Sequence, residues 1–124
     1  NKSLSYLKNN DFKLFMSKSS LFAMTAHIIF NKIDSTKTVT HSKKMIKIIR
    51  DHIKFKNILI SDDLSMKSLR YSIKQNTIKT FEAGCNLALH CNGNLKEMII
   101  VAENSPKVNL FIIKKTSEFH KILS

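Results

Sequence analysis

The sequence predicts an α/β fold built on a parallel sheet, and three observations lead there. Three short apolar segments stand out: Leu21-Phe22-Ala23-Met24 running on to His27-Ile28-Ile29-Phe30, then Ile58-Leu59-Ile60, then Leu87-Ala88-Leu89. Their apolar residues are continuous rather than alternating, as in strands buried on both faces. They recur about every 30 residues, the length of one βαβ unit, with helical periodicity between them.

The elements follow in order. Leu4 to Phe15 reads as an opening helix. After the first apolar segment, Thr40 or Ser42 is placed to cap a helix carrying Met45, Ile46, Ile49 and Ile53, whose spacing marks one helical face. The second strand, at Ile58, leads to a helix starting near Ser72 with Ile73, Ile78 and Phe81; Gly84 stands where a left-handed C-cap belongs. The third strand leads to a helix starting near Asn94, with Leu95, Met98, Ile99 and Ala102 expected to face inward, and Pro106 ends it. Leu110 to Leu123 reads as a last helix.

Three parallel strands leave two open edges. The sheet therefore reads as part of a larger one, and the isolated chain should tend to associate through those edges. No internal repeat, linker or domain boundary interrupts the 124 residues.

Composition excludes several classes. With 43% hydrophobic residues, 2 Gly and 1 Pro, the chain is neither disordered throughout nor collagen-like. No apolar run approaches the roughly 18 residues of a membrane span, so no membrane partner is expected. Cys85 and Cys91 lack CxxC spacing and are read as reduced thiols. The chain starts at Asn1 and shows no secretory leader pattern. It reads as a cytoplasmic protein and as a piece of something longer.

The net charge is +12, from 21 Lys+Arg against 9 Asp+Glu. Such a balance can mark a polyanion-binding surface. Here the basic residues are scattered, and only Arg50 and Arg70 are arginine. Base readout and bidentate phosphate contacts favour arginine. A solvated lysine-rich surface is the better reading, and no nucleic-acid partner is expected.

In parallel α/β folds the working residues lie at the C-terminal ends of strands. Three polar strand ends are candidates: Thr25 with His27, Ser61-Asp62-Asp63, and His90-Cys91-Asn92. Adjacent carboxylates after a buried strand must be solvated, paired or functional. Successive strand residues point in opposite directions, so one Asp can face a site while the other serves the structure. Asp63 could equally be a loop or N-cap residue before Leu64-Ser65-Met66. His27 could be satisfied by a backbone carbonyl rather than by chemistry. His90 and Cys91 supply two potential metal ligands, too few for a site. His41, His52 and His120 are placed on helix surfaces with no role. No GxGxxG, P-loop, HExxH or GxSxG motif is present, and no cofactor or metal is expected.

Three blocks carry a family resemblance: Ala23-Met24-Thr25-Ala26-His27-Ile28-Ile29-Phe30, Ile60-Ser61-Asp62-Asp63-Leu64-Ser65-Met66-Lys67, and Ala83-Gly84-Cys85-Asn86-Leu87-Ala88-Leu89-His90-Cys91-Asn92. Their order and spacing over about residues 11 to 106 resemble the bacterial β-N-acetylhexosaminidases of glycoside hydrolase family 3, enzymes of cell-wall recycling. The resemblance implies a partial TIM (β/α)8 barrel, with residues 1–124 as the C-terminal portion holding strands six to eight. It implies a retaining glycosidase that removes terminal N-acetylglucosamine from muropeptide fragments, without a cofactor. Asp62 maps to the nucleophile, with Asp63 as a supporting neighbour and His27 lining the substrate site. The family's acid/base His lies in an Asp-x-His loop, with a Lys-His substrate motif just before it. Neither sequence occurs in residues 1–124, so the missing N-terminal part of the barrel is the implied partner and this segment alone is expected to be inactive.

The sequence departs from the family pattern at glycines flanking the turn before the nucleophile strand, where Lys54-Phe55-Lys56-Asn57 stand; Asn57 tolerates φ > 0 better than Lys54. Asn86 replaces the usual Asp after Gly-Cys, and no Pro follows Asp11. A truncated, non-catalytic remnant of the enzyme is the alternative reading. A basic nucleic-acid-binding module is a more remote one.

Overall fold

A computed structural model describes residues 2–16 and 20–123. Three strands, β1 (Phe22–Met24), β2 (Ile58–Asp63) and β3 (Leu87–Leu89), form one parallel sheet in the order β1-β2-β3. Five α-helices accompany them: α1 (Leu4–Asn9), α2 (Lys43–Asp51), α3 (Ile73–Ala83), α4 (Leu95–Glu103) and α5 (Leu110–Leu123). The strand–helix alternation is the one the spacing predicts. β2 is central because it alone has neighbours on both sides. Its Ile58 and Leu59 are almost wholly buried, each stabilising the fold by about 1.5–3 kcal/mol.

Local signals set most helix ends. The Ser42 hydroxyl accepts the Met45 N–H, the Ser72 hydroxyl the Gln75 N–H, and the Asn94 side-chain oxygen the Glu97 N–H. Each satisfies a backbone donor that the first helical turn leaves open. Gly84 closes α3 in the left-handed region at φ +115°. A Cβ there would also meet Ile46 Cγ2 at 3.0 Å, so geometry and packing both call for glycine.

The core joins Leu7, Phe12, Val39, Met45, Ile46, Ile53, Phe55, Leu59, Ala83 and Cys85. Met45 and Ile46 enter it from α2; Ile53 enters from just beyond the helix end. Phe12 meets Phe30 edge to face at 6.0 Å between ring centres.

The structure corrects four expectations. The first apolar segment is a strand only over Phe22–Met24; Thr25 still donates its N–H to the Ile60 carbonyl at 2.9 Å, and His27 beyond it bonds the Asp63 carbonyl. The opening helix breaks at Asn10 and continues as a 3₁₀ turn, Asp11–Phe15. The apolar face of α4 points outward: Leu95, Met98, Ile99 and Ala102 are all exposed, Leu95 at 68%. Helical periodicity reports that a face is apolar, whereas its burial requires an element to cover it, and within the described residues none does. Finally, His41 is 6% exposed, in a 3₁₀ turn at Val39–His41 rather than on a helix surface. His52 is half-buried and His120 exposed.

The backbone bears out the departure at Lys54. It is the one non-glycine residue with positive φ among those described, at +64°; Asn57, the better-suited residue, does not carry that conformation. No helix of the described residues is long and apolar enough to cross a membrane.

Candidate active site

The end of β2 divides its two carboxylates between separate tasks. Asp63 is fixed by its surroundings: Oδ1 accepts the N–H of Ser65 and of Cys91, each at 3.0 Å, and Oδ2 accepts the Ser65 hydroxyl at 2.6 Å. Burial works to raise its pKa. The three hydrogen bonds and the nearby His90 outweigh that and hold it below the ordinary carboxylate value. Asp62 is half-buried, and its Oδ1 accepts the Asp63 N–H at 2.9 Å. One carboxylate is thus built into the turn while its neighbour keeps acceptor capacity at the strand's C-terminal end.

Ser61 explains how that turn meets β3. Regular pairing shifts between Ile60 and Asp63, and the fully buried Ser61 hydroxyl accepts the Leu89 N–H at 2.9 Å. The Leu89 carbonyl in turn accepts the Leu64 N–H at 2.9 Å. A side-chain oxygen therefore replaces a ladder acceptor where the strand bends. The sequence marked Ser61 as part of a motif but not as the device that closes this gap.

His27 is nine-tenths buried beneath the same turn. Its Nε2 lies 2.8 Å from the Asp63 carbonyl oxygen, and its Nδ1 lies 2.8 Å from the Thr40 hydroxyl. A carbonyl only accepts, so Nε2 carries the proton and donates it. In the neutral ring, Nδ1 then accepts from Thr40. Thr25, at the end of β1, stands 2.9 Å from Thr40, completing a buried chain Thr25–Thr40–His27–Asp63. His27 is therefore joined to the Asp63 main chain, with Asp62 next along the chain, and is engaged with the protein through both nitrogens. Thr40 was legible only as a possible helix cap; its buried link to His27 could not be read from spacing.

At the third strand end His90 is paired with a carboxylate. His90 Nε2 pairs with Glu97 Oε2 at 2.8 Å, and the Asn92 side chain donates to the same oxygen at 2.7 Å. Among the described residues no three His, Cys, Asp or Glu side chains converge as a metal site. Cys85 and Cys91 are both free thiols, and burial pushes the Cys85 pKa up to about 11, leaving it protonated and unreactive at neutral pH. Asn86, where the sequence departs from the family pattern, lies behind the site. Its Oδ1 accepts the Leu59 N–H at 2.9 Å and an Arg50 guanidinium N–H at 2.7 Å. Arg50 also donates to the carbonyls of Phe55 and Asn57, tying the turn before β2 to the start of β3.

Known proteins resemble this chain in sequence and in fold. Residues 2–114 match the family described as glycosyl hydrolase family 3 N terminal domain. A beta-hexosaminidase of Neisseria meningitidis serogroup B is 38% identical over 97 residues, covering 73% of this chain and 27% of that protein. One from Photobacterium profundum is 28% identical over 120 residues, covering 90% of this chain and 36% of the relative. The crystal structure of NagZ from Neisseria gonorrhoeae in complex with zinc ion superposes with a TM-score of 0.75 at 28% identity, over 93% of this chain and 34% of that one. The chain thus spans about a quarter to a third of the curated relatives it matches.

Proposed function

This chain belongs to glycosyl hydrolase family 3, and from that membership we propose that it is the nucleophile-bearing part of a retaining β-N-acetylhexosaminidase, with Asp62 as nucleophile. The observation that carries this reading is the division of labour at the end of β2. Asp63 spends its carboxylate on Ser65 and Cys91, while Asp62 remains half-open beside it.

In the proposed reaction an Asp62 oxygen attacks the anomeric carbon of a terminal N-acetylglucosamine, and the bond to the leaving oxygen breaks. That oxygen takes a proton from a general acid. Water, deprotonated by the same group, then releases the sugar and frees the carboxylate. Neither neighbour offers that acid: His27 is engaged through both nitrogens and Asp63 through both oxygens. The acid/base His comes, on this reading, from the remainder of a (β/α)8 barrel in which β1, β2 and β3 are strands six, seven and eight. General acid–base catalysis contributes typically 10²–10⁴-fold, so the 124-residue segment alone should turn over negligibly. The substrate we infer is a muropeptide fragment in the cytoplasm, in keeping with cell-wall recycling.

A non-catalytic remnant is the second reading, favoured by the strained Lys54 in the turn leading to the nucleophile strand. The test is hydrolysis of a chromogenic β-N-acetylglucosaminide by the native gene product and its Asp62→Asn form. The expected result is turnover by the former and a loss of about 10³-fold or more in the latter, with the fold unchanged. Comparable turnover by both would overturn the assignment of Asp62. No turnover by a correctly folded native product would leave the remnant reading.

A further inference from the structure

The pairing of β2 with β3 ends at Leu89, the last residue of β3 in register with its neighbour. Two residues further on, the Cys91 N–H still reaches Asp63 Oδ1 at 3.0 Å. Cys91 lies beyond the strand, so the sheet does not aim that N–H. The residues on either side of it do. The His90 ring donates from Nε2 to Glu97 Oε2 at 2.8 Å, and the Asn92 side chain donates to the same oxygen at 2.7 Å. A carboxylate only accepts, so both bonds run toward Glu97.

The loop is closed on itself by two further bonds. Asn92 Oδ1 accepts the Asn94 N–H at 2.8 Å, and the Asn94 side chain accepts the Glu97 N–H at 3.2 Å. The His90 side chain is only 6% exposed, and its Nδ1 is buried without a hydrogen-bond partner among the described residues. The Glu97 oxygen is therefore the hydrogen-bond partner that orients this ring. An acidic residue in the first turn of a helix ordinarily meets the open N–H groups and the positive end of the dipole. Glu97 stands in that turn of α4 and also binds two donors from outside the helix.

We propose that Glu97 is a positioning residue for the nucleophile turn. By holding His90 and Asn92 it aims the Cys91 N–H at the Asp63 carboxylate, and Asp63 in turn presents its own N–H to Asp62 Oδ1. The link to turnover rests on the reading of Asp62 as nucleophile; the hold of Glu97 on the Cys91 N–H does not.

The experiment compares Glu97→Leu with Glu97→Gln. Glutamine keeps an acceptor oxygen for both donors but loses the charge that favours a helix N-terminus. Amide hydrogen exchange of Cys91 is read by NMR in the 124-residue chain. Exchange at Cys91 should be about tenfold faster in Glu97→Leu, the effect of one hydrogen bond to a charged group, and close to the parent in Glu97→Gln. Glu103→Gln, at the far end of α4, should change nothing. Asn92→Ala removes one of the two donors without altering α4 and should give a smaller acceleration, which decides the matter if Glu97→Leu does not fold. A Cys91 amide indifferent to Glu97→Leu and Asn92→Ala, or one freed equally by Glu97→Gln, overturns the proposal. In the native gene product, turnover should fall in Glu97→Leu and return in Glu97→Gln. Loss of turnover in Asp62→Asn with a Cys91 amide indifferent to Glu97 overturns this inference and leaves Asp62 as nucleophile. A Cys91 amide that follows Glu97 beside turnover indifferent to Asp62→Asn upholds the hold on Asp63 and overturns Asp62 as nucleophile.

Discussion

His27 Nε2 donates to the main-chain carbonyl of Asp63 across 2.8 Å, linking the loop after β1 to the turn after β2. The bond is made to backbone rather than to a carboxylate. His27 therefore positions the turn that carries Asp62 and Asp63, and its own orientation depends on Thr40.

Thr40→Val tests that dependence. Valine fills the same volume but leaves His27 Nδ1 without its hydroxyl and removes the contact to Thr25. The site is wholly buried, so the expected loss of stability is about 1–3 kcal/mol. Urea denaturation measures it, and an unchanged midpoint would show that the threonine pair contributes nothing.

His41 should make the fold sensitive to mild acid. Its pKa drops from the ordinary 6.5 to about 4 on folding, chiefly through burial. Between those values the unfolded chain binds a proton that the folded chain does not, so stability falls as pH drops through that window and the contribution levels off below it. Asp63 and Asp34 have lowered pKa values in the fold, and their stabilisation is lost only further down, as the carboxylates protonate. His41→Leu should flatten the stability profile between about pH 4 and 6.5. A variant that retains the full slope there would place the sensitivity elsewhere.

Lys54→Gly should stabilise the chain. Lys54 holds φ +64° on the surface, a conformation that costs an L-residue roughly 1–2 kcal/mol and glycine almost nothing. Part of the gain is offset by the greater freedom of glycine in the unfolded chain, so the net expectation is about 1 kcal/mol. A lowered thermal midpoint would mean that the lysine side chain contributes packing that outweighs the strain.

Asn86→Asp should also stabilise. The same oxygen already accepts from Arg50 and Leu59, and a carboxylate there would turn a neutral acceptor into a charge-assisted one. The expected gain is about 1 kcal/mol, with weak salt dependence because Arg50 is half-buried. Destabilisation would show that desolvating the new charge costs more than Arg50 returns.

The sequence by itself determined the features that depend on near neighbours along the chain. The caps at Ser72 and Asn94, the pair Thr40 and Ser42 that holds the cap of α2, the left-handed Gly84 and the strand runs at Ile58 and Leu87 were readable because helix ends and apolar runs are settled within a few residues; that Ile58 and Leu59 are buried while β3 is only half-buried was not. The block Ser61-Asp62-Asp63 was visible as a polar strand end, but partners that divide its tasks, Leu89 and Cys91, each stand 28 residues away along the chain. Tertiary structure alone decided that His27 binds the Asp63 backbone, that Ser61 closes the gap opposite Leu89, that His41 is buried and that the apolar face of α4 is left uncovered. Each of these depends on a group far away in sequence, and side-chain type states what a residue can bind without stating what the fold sets beside it.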